Sequence, residues 1–221
     1  HGAGCVVLSH LFHVEPGAKL TQTQTLWLAG AQQGFILLAQ LGILASRSTF
    51  SPGPINSERM PLSKVFAKGV LAFVAGYPLI FLTGYFWSLA LEAIQHWLAP
   101  QLQTPEQTVV QLISAQPSTG IVAVSVLFAV ALAPVNEELF FRVGIYRFLK
   151  GKMSARSAIA LAAIIFAAFH ANLLSFAPLL VVGWLLARAY ERTGHAGVPM
   201  VFHALFNLNT IAMLLISSGS M

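Results

Sequence analysis

The strongest constraint on this chain is a set of apolar stretches near residues 26–46, 65–91, 120–149, 157–172, 178–190 and 197–217, almost free of charge. A membrane-crossing helix needs ~20 predominantly apolar residues. The first, second, third and sixth stretches reach that length, while the fourth and fifth are short and are expected to be tilted or shielded by their neighbours. Hydrophobic residues make up 57% of the chain and charged ones 9%, far below the roughly one quarter charged in soluble domains. Lipid must therefore serve as solvent. The expected fold is all-α, a polytopic transmembrane helical bundle of about six or seven membrane helices in a single integral membrane domain spanning 1–221. Residues 5–14, with His10 and His13, read as interfacial. The chain starts at His1 with no charged leader before an apolar run, which is expected of a trimmed N-terminus.

Turn-forming residues separate the stretches: 51–54 after the first, Pro100 and Pro117 in the second connection, Gly151 after the third, Gly194 and Gly197 before the last. One cysteine, Cys5, allows no internal disulfide. The formal charge of +5 does not point to nucleic acid, because the basic residues lie between apolar segments and form no patch interleaved with aromatics. They point to topology. Arg47, Arg59, Lys64 and Lys68 flank the first connection, Arg147, Lys150, Lys152 and Arg156 the third, and Arg188 and Arg192 the fifth, against Lys19 alone on the other side. Basic loops face the cytoplasm, so a multi-pass protein of a prokaryotic cell membrane is expected, with these loops inside.

Arg142 is the basic residue left over, and it lies inside the third stretch, where a charge is expensive and marks a functional site by default. Two of the seven carboxylates, Glu137 and Glu138, lie beside it. On a helix Glu138 and Arg142 are i and i+4 and can pair, whereas Glu137 is turned about 100° away. The other intramembrane polar candidates are His170, on the fourth stretch, and His203 with Asn207, one helical turn apart on the last. Taking ~1.5 Å of rise per residue from each inferred cytoplasmic end, Glu137 lies roughly 18 Å deep, His170 roughly 21, His203 roughly 9 and Asn207 roughly 15. The four occupy an overlapping layer. His96 and His195, and Trp27, Trp87, Trp97 and Trp184, read as interfacial, loop or packing residues.

Glu137-Glu138-x-x-x-Arg142, then Phe166-x-x-x-His170, then His203-x-x-x-Asn207, in that order, resemble the CPBP family of membrane proteases, also called the ABI family, which includes the CAAX prenyl endopeptidases. The motif-bearing core covers about residues 120–215. The resemblance implies intramembrane, glutamate-dependent peptide hydrolysis without a cofactor. Peptide cleavage needs an activated water and an oxyanion partner. Glu137 is the expected base, His170 orients water and passes the proton on, and the resemblance gives His203 and Asn207 the oxyanion. Glu138 and Arg142 support the site structurally. The expected partners are the bilayer and a peptide or membrane-anchored substrate, lipidated substrates included, with no nucleic acid.

Other peptidase chemistries lack their residues. The sequence has no aspartate, no His-Glu-x-x-His and no Gly-x-Ser. A zinc site from Glu137, His170 and His203 stays open, since two histidines and a carboxylate form a known catalytic ligand set. So does a non-catalytic role as a membrane scaffold or bacteriocin-immunity-type binding protein. A transporter is disfavoured because no paired halves are visible.

Overall fold

The structure, a computed structural model, describes residues 21–46, 60–97 and 119–217. Cys5 and the 5–14 segment with His10 and His13, Lys19, Arg47, Arg59, the breakers at 51–54, Pro100 and Pro117 lie outside these residues. Lipid offers the backbone no hydrogen-bond partners, so apolar segments satisfy their own N–H and C=O groups by forming helices. Six occur among the described residues: α1 (Gln22–Ser46), α2 (Leu62–Trp97), α3 (Thr119–Lys150), α4 (Ala155–Phe169), α5 (Phe176–Thr193) and α6 (Gly197–Ser217). No strand occurs among the described residues. The protein is a membrane helical bundle in which α2, α3 and α6 are long and apolar enough to cross a bilayer.

Local signals set the helix ends. The Ser154 hydroxyl accepts from Ser157 N and caps the start of α4. Gly194, at φ 63°, ends α5 in a left-handed turn whose N–H donates to the Tyr190 carbonyl. His195 follows and accepts the Gly197 N–H through Nδ1, starting α6. The fourth stretch ends earlier than expected. α4 stops at Phe169, so His170 caps the helix end instead of lying within it. Ala171 explains the stop, because its φ of 47° is left-handed and cannot continue a right-handed helix.

Helices α2 to α6 share an apolar core that includes Ile80, Phe141, Phe166, Val182, Leu186 and Phe202. Small residues let the backbones approach, as membrane packing requires. A Cβ on Gly69 would lie 2.6 Å from Val201 Cβ and 2.9 Å from the Val198 carbonyl, and one on Gly183 would lie 3.1 Å from Ala163 Cα. Short α4 and α5 are packed against each other more closely than any other pair. Helix α1 stands apart. It contributes no residue to the buried apolar clusters and packs chiefly on α3.

Candidate active site

The glutamates lie on a short α-helical stretch of α3, Ala133–Glu138, between two wider π-helical stretches at Phe128–Leu132 and Leu139–Tyr146. Such widenings release main-chain carbonyls from the regular ladder and recur at functional sites. The first widening offers Ala129 O, which accepts from Asn207 Nδ2 at 2.7 Å. Asn207 thus ties α6 to α3 about two turns before the glutamates. Only one of its amide hydrogens is needed there, leaving the second for another acceptor.

Glu138 is fully buried and joins two helices through its two oxygens. Oε2 lies 2.8 Å from Nε of Arg142, itself fully buried, in the expected i,i+4 ion pair. Oε1 lies 3.0 Å from Nδ1 of His203. The Arg142 guanidinium also stacks 4.8 Å over the Phe166 ring, which compensates part of its burial. The Glu138–His203 link has no counterpart in the sequence reading, which gave Glu138 a single partner.

Glu137 is turned away from Arg142 and is about one quarter exposed, at 27%. Its Oε2 is buried and lies 3.8 Å from Nε2 of His170 and 3.8 Å from Nε2 of His203. Each ring is held by its other nitrogen. His170 Nδ1 lies 2.7 Å from the Phe166 carbonyl, which can only accept, so Nδ1 carries the hydrogen. His203 Nδ1 donates to the Glu138 carboxylate in the same way. In their neutral forms both rings therefore turn a bare Nε2 towards Glu137, ready to take up a proton.

The zinc alternative does not fit this arrangement. Ligands ~2.0–2.1 Å from a tetrahedral zinc lie about 3.3 Å apart, whereas both histidine nitrogens stand 3.8 Å from Glu137 Oε2. Among the described residues no group of three or more His, Cys, Asp or Glu side chains is arranged to hold a metal ion.

Glu137, His170, His203 and Asn207 all line one cavity of about 480 Å³, to which α1 contributes Leu26, Ala29 and Gln33. A second, more apolar cavity of about 350 Å³ shares Gln33, Glu137 and His170 and continues past Ile36, Phe140 and Phe169. The two form a cleft passing on either side of Glu137. Gln33, Gln40 and Asn136 belong to this cleft and were not singled out from the sequence. The signal was there, since amide side chains on apolar helices need partners.

Residues 119–209 match a family model described as type II CAAX prenyl endopeptidase Rce1-like. The segment belongs to that family. No curated protein and no solved structure matches the chain. The Rce1-like segment contains Glu137, Glu138, Arg142, His170, His203 and Asn207, which agrees with the resemblance drawn from the motifs. It supports a membrane-embedded protease of the CAAX-protease kind. Helices α1 and α2 lie outside it, so the α1 wall of the cleft is not part of the matched segment.

Proposed function

We propose that this chain is an intramembrane endopeptidase that hydrolyses peptide bonds with a water activated by Glu137 and His170. The observation that carries the reading is the Glu137 carboxylate facing two histidine Nε2 atoms in a cavity large enough for a peptide. Glu137 removes a proton from water as the water oxygen attacks the scissile carbonyl carbon. The carbonyl electrons move to oxygen. That oxyanion accepts a hydrogen bond from the second Asn207 amide hydrogen and, once His203 Nε2 has taken up a proton from solvent, another from that ring, which the Glu138 carboxylate holds through Nδ1 at 3.0 Å. Collapse re-forms the carbonyl and breaks the C–N bond, while His170 Nε2 passes the proton from Glu137 to the leaving nitrogen. Arg142 holds Glu138 in place.

The substrate is a peptide or membrane-anchored protein, lipidated C-termini included, and reaches the site from the side on which the basic loops lie. The test is cleavage of an internally quenched prenylated peptide and of a membrane-anchored fusion by protein in lipid nanodiscs. Loss of a general base or acid costs about 10²–10⁴-fold, so Glu137→Gln and His170→Ala should each fall by at least ~100-fold. Full activity in Glu137→Gln sinks the mechanism. Loss on chelation with rescue by zinc moves the chemistry to a metal, and tight binding without cleavage favours the scaffold role.

A further inference from the structure

A substrate helix in lipid pairs its backbone groups internally. Cleavage requires the segment around the scissile bond to be extended, which frees N–H and C=O groups where water is scarce. Each one left unpaired costs about 1–3 kcal/mol, so the cleft must supply partners. The catalytic groups account for a single carbonyl.

The seam between α1 and α3, next to Glu137, holds three side-chain amides. Asn136 Nδ2 donates to the main-chain carbonyl of Gln33 at 2.9 Å and to Gln33 Oε1 at 2.6 Å. Gln40 Nε2 donates to the main-chain carbonyl of Asn136 at 3.1 Å. Main-chain carbonyls only accept, so the orientation of the Asn136 and Gln40 amides is determined. Their acceptor ends, Asn136 Oδ1 and Gln40 Oε1, are consequently buried with no partner. Asn136 as a whole is 2% exposed. Both residues line the apolar half of the cleft together with Glu137 and His170. An aliphatic side chain at either position would pack the seam without an unpaired oxygen, so these amides cost stability that a purely structural seam would not.

Both oxygens are reached only when α1 parts from α3, and α1 is built to part. Among the described residues it shares none of the buried apolar clusters of the other helices, and Leu26 is its one buried apolar side chain. Besides the Asn136 and Gln40 hydrogen bonds, Gly30 lies against the edge of the Phe128 ring, where a Cβ would lie 2.7 Å from Cζ. We infer that Asn136 and Gln40 form a binding site for the backbone of an extended peptide substrate, accepting hydrogen bonds from its N–H groups beside the scissile bond as α1 moves aside. The inference rests on the endopeptidase reading, but neither residue takes part in the chemistry, and Gln40 lies outside the matched segment.

The test is an ester scan. A fluorescent prenylated C-terminal peptide is made with single backbone N–H groups replaced by oxygen, and its binding to the Glu137→Gln protein in nanodiscs is followed by anisotropy. At one or two positions near the scissile bond the ester should weaken binding about tenfold, the loss of one hydrogen bond. Adding Gln40→Met or Asn136→Leu should weaken the all-amide peptide and reduce the ester penalty at one of those positions to less than twofold. Gln40→Met keeps the test decisive if Asn136→Leu does not fold. No ester penalty, an equal penalty in all three backgrounds, or no binding of the peptide overturns the inference. Wild-type protein that cleaves the peptide but is indifferent to esters overturns it alone. Amide-dependent binding without Glu137-dependent cleavage upholds it and sinks the catalytic reading instead.

Discussion

Replacing Glu138 by Leu and Arg142 by Met, singly and together, separates what holds α3 in the bundle from what does the chemistry. At 2.8 Å and an effective dielectric of about 20, the pair's attraction is ~6 kcal/mol. Against it stands the desolvation of two fully buried ions, several kcal/mol each, so the net contribution is close to zero. Removing one partner strands the other. Glu138→Leu should therefore cost about 3–5 kcal/mol, since the fully buried Arg142 loses the carboxylate it pairs with at 2.8 Å. Arg142→Met should cost less, because His203 remains at 3.0 Å and, once protonated, compensates Glu138. The double variant should return to within ~1–2 kcal/mol of wild type or exceed it, as buried pairs replaced by apolar side chains commonly do. Activity should follow a different order. His203 loses its Nδ1 partner whenever Glu138 is absent, so the stable double variant should still be at least ~100-fold less active. Thermal unfolding in detergent gives the stabilities and quenched-peptide cleavage the activities. A double variant as unstable as Glu138→Leu refutes the compensation argument, and one with wild-type activity refutes the positioning role of Glu138.

Glu137→Gln, in contrast, should leave the melting transition within ~0.5 kcal/mol of wild type, because among the described residues the carboxylate oxygen that faces the histidines has no hydrogen-bond partner; a large drop would make Glu137 a structural residue. Gly69→Ala should destabilise by about 1–3 kcal/mol, since the new Cβ meets the Val198 carbonyl at 2.9 Å. Gly34→Ala, with nothing within 4 Å, is its control and should be neutral or stabilising, by up to ~1 kcal/mol from helix propensity. Ala171→Gly should raise stability by about 1 kcal/mol by relieving the left-handed strain, and a loss instead would mean that the Ala171 methyl packs favourably enough to outweigh it.

Much of this fold was legible in the residues because lipid leaves few alternatives. An apolar segment without partners in the solvent must be helical, so each of the six stretches predicted one helix among the described residues, the second running six residues further than expected, to Trp97. The Glu138–Arg142 pair was legible for the same reason, since two charges at i and i+4 in an apolar helix have no better partner than each other. The end of α4 was not. Nothing about Ala171 marks a left-handed residue, as Gly194 does, so His170 was read as lying inside a helix that stops just before it.

The two π-helical widenings of α3 were hidden for a related reason, and they matter more. The first widening ends just short of Pro134, which has no N–H for the preceding turn, and Ala129 O is taken up by Asn207, 78 positions along the chain. Spacing along α3 alone carries no trace of that bond. The two faces of Glu138 were concealed likewise. A carboxylate has two oxygens, local sequence accounts for the one on Arg142, and only the packing of α6 supplies the other with His203. A residue that reads as a local ion pair is thus also the orienter of a proposed catalytic histidine, and that is why compensating its charge with a second substitution should restore the fold without restoring the chemistry.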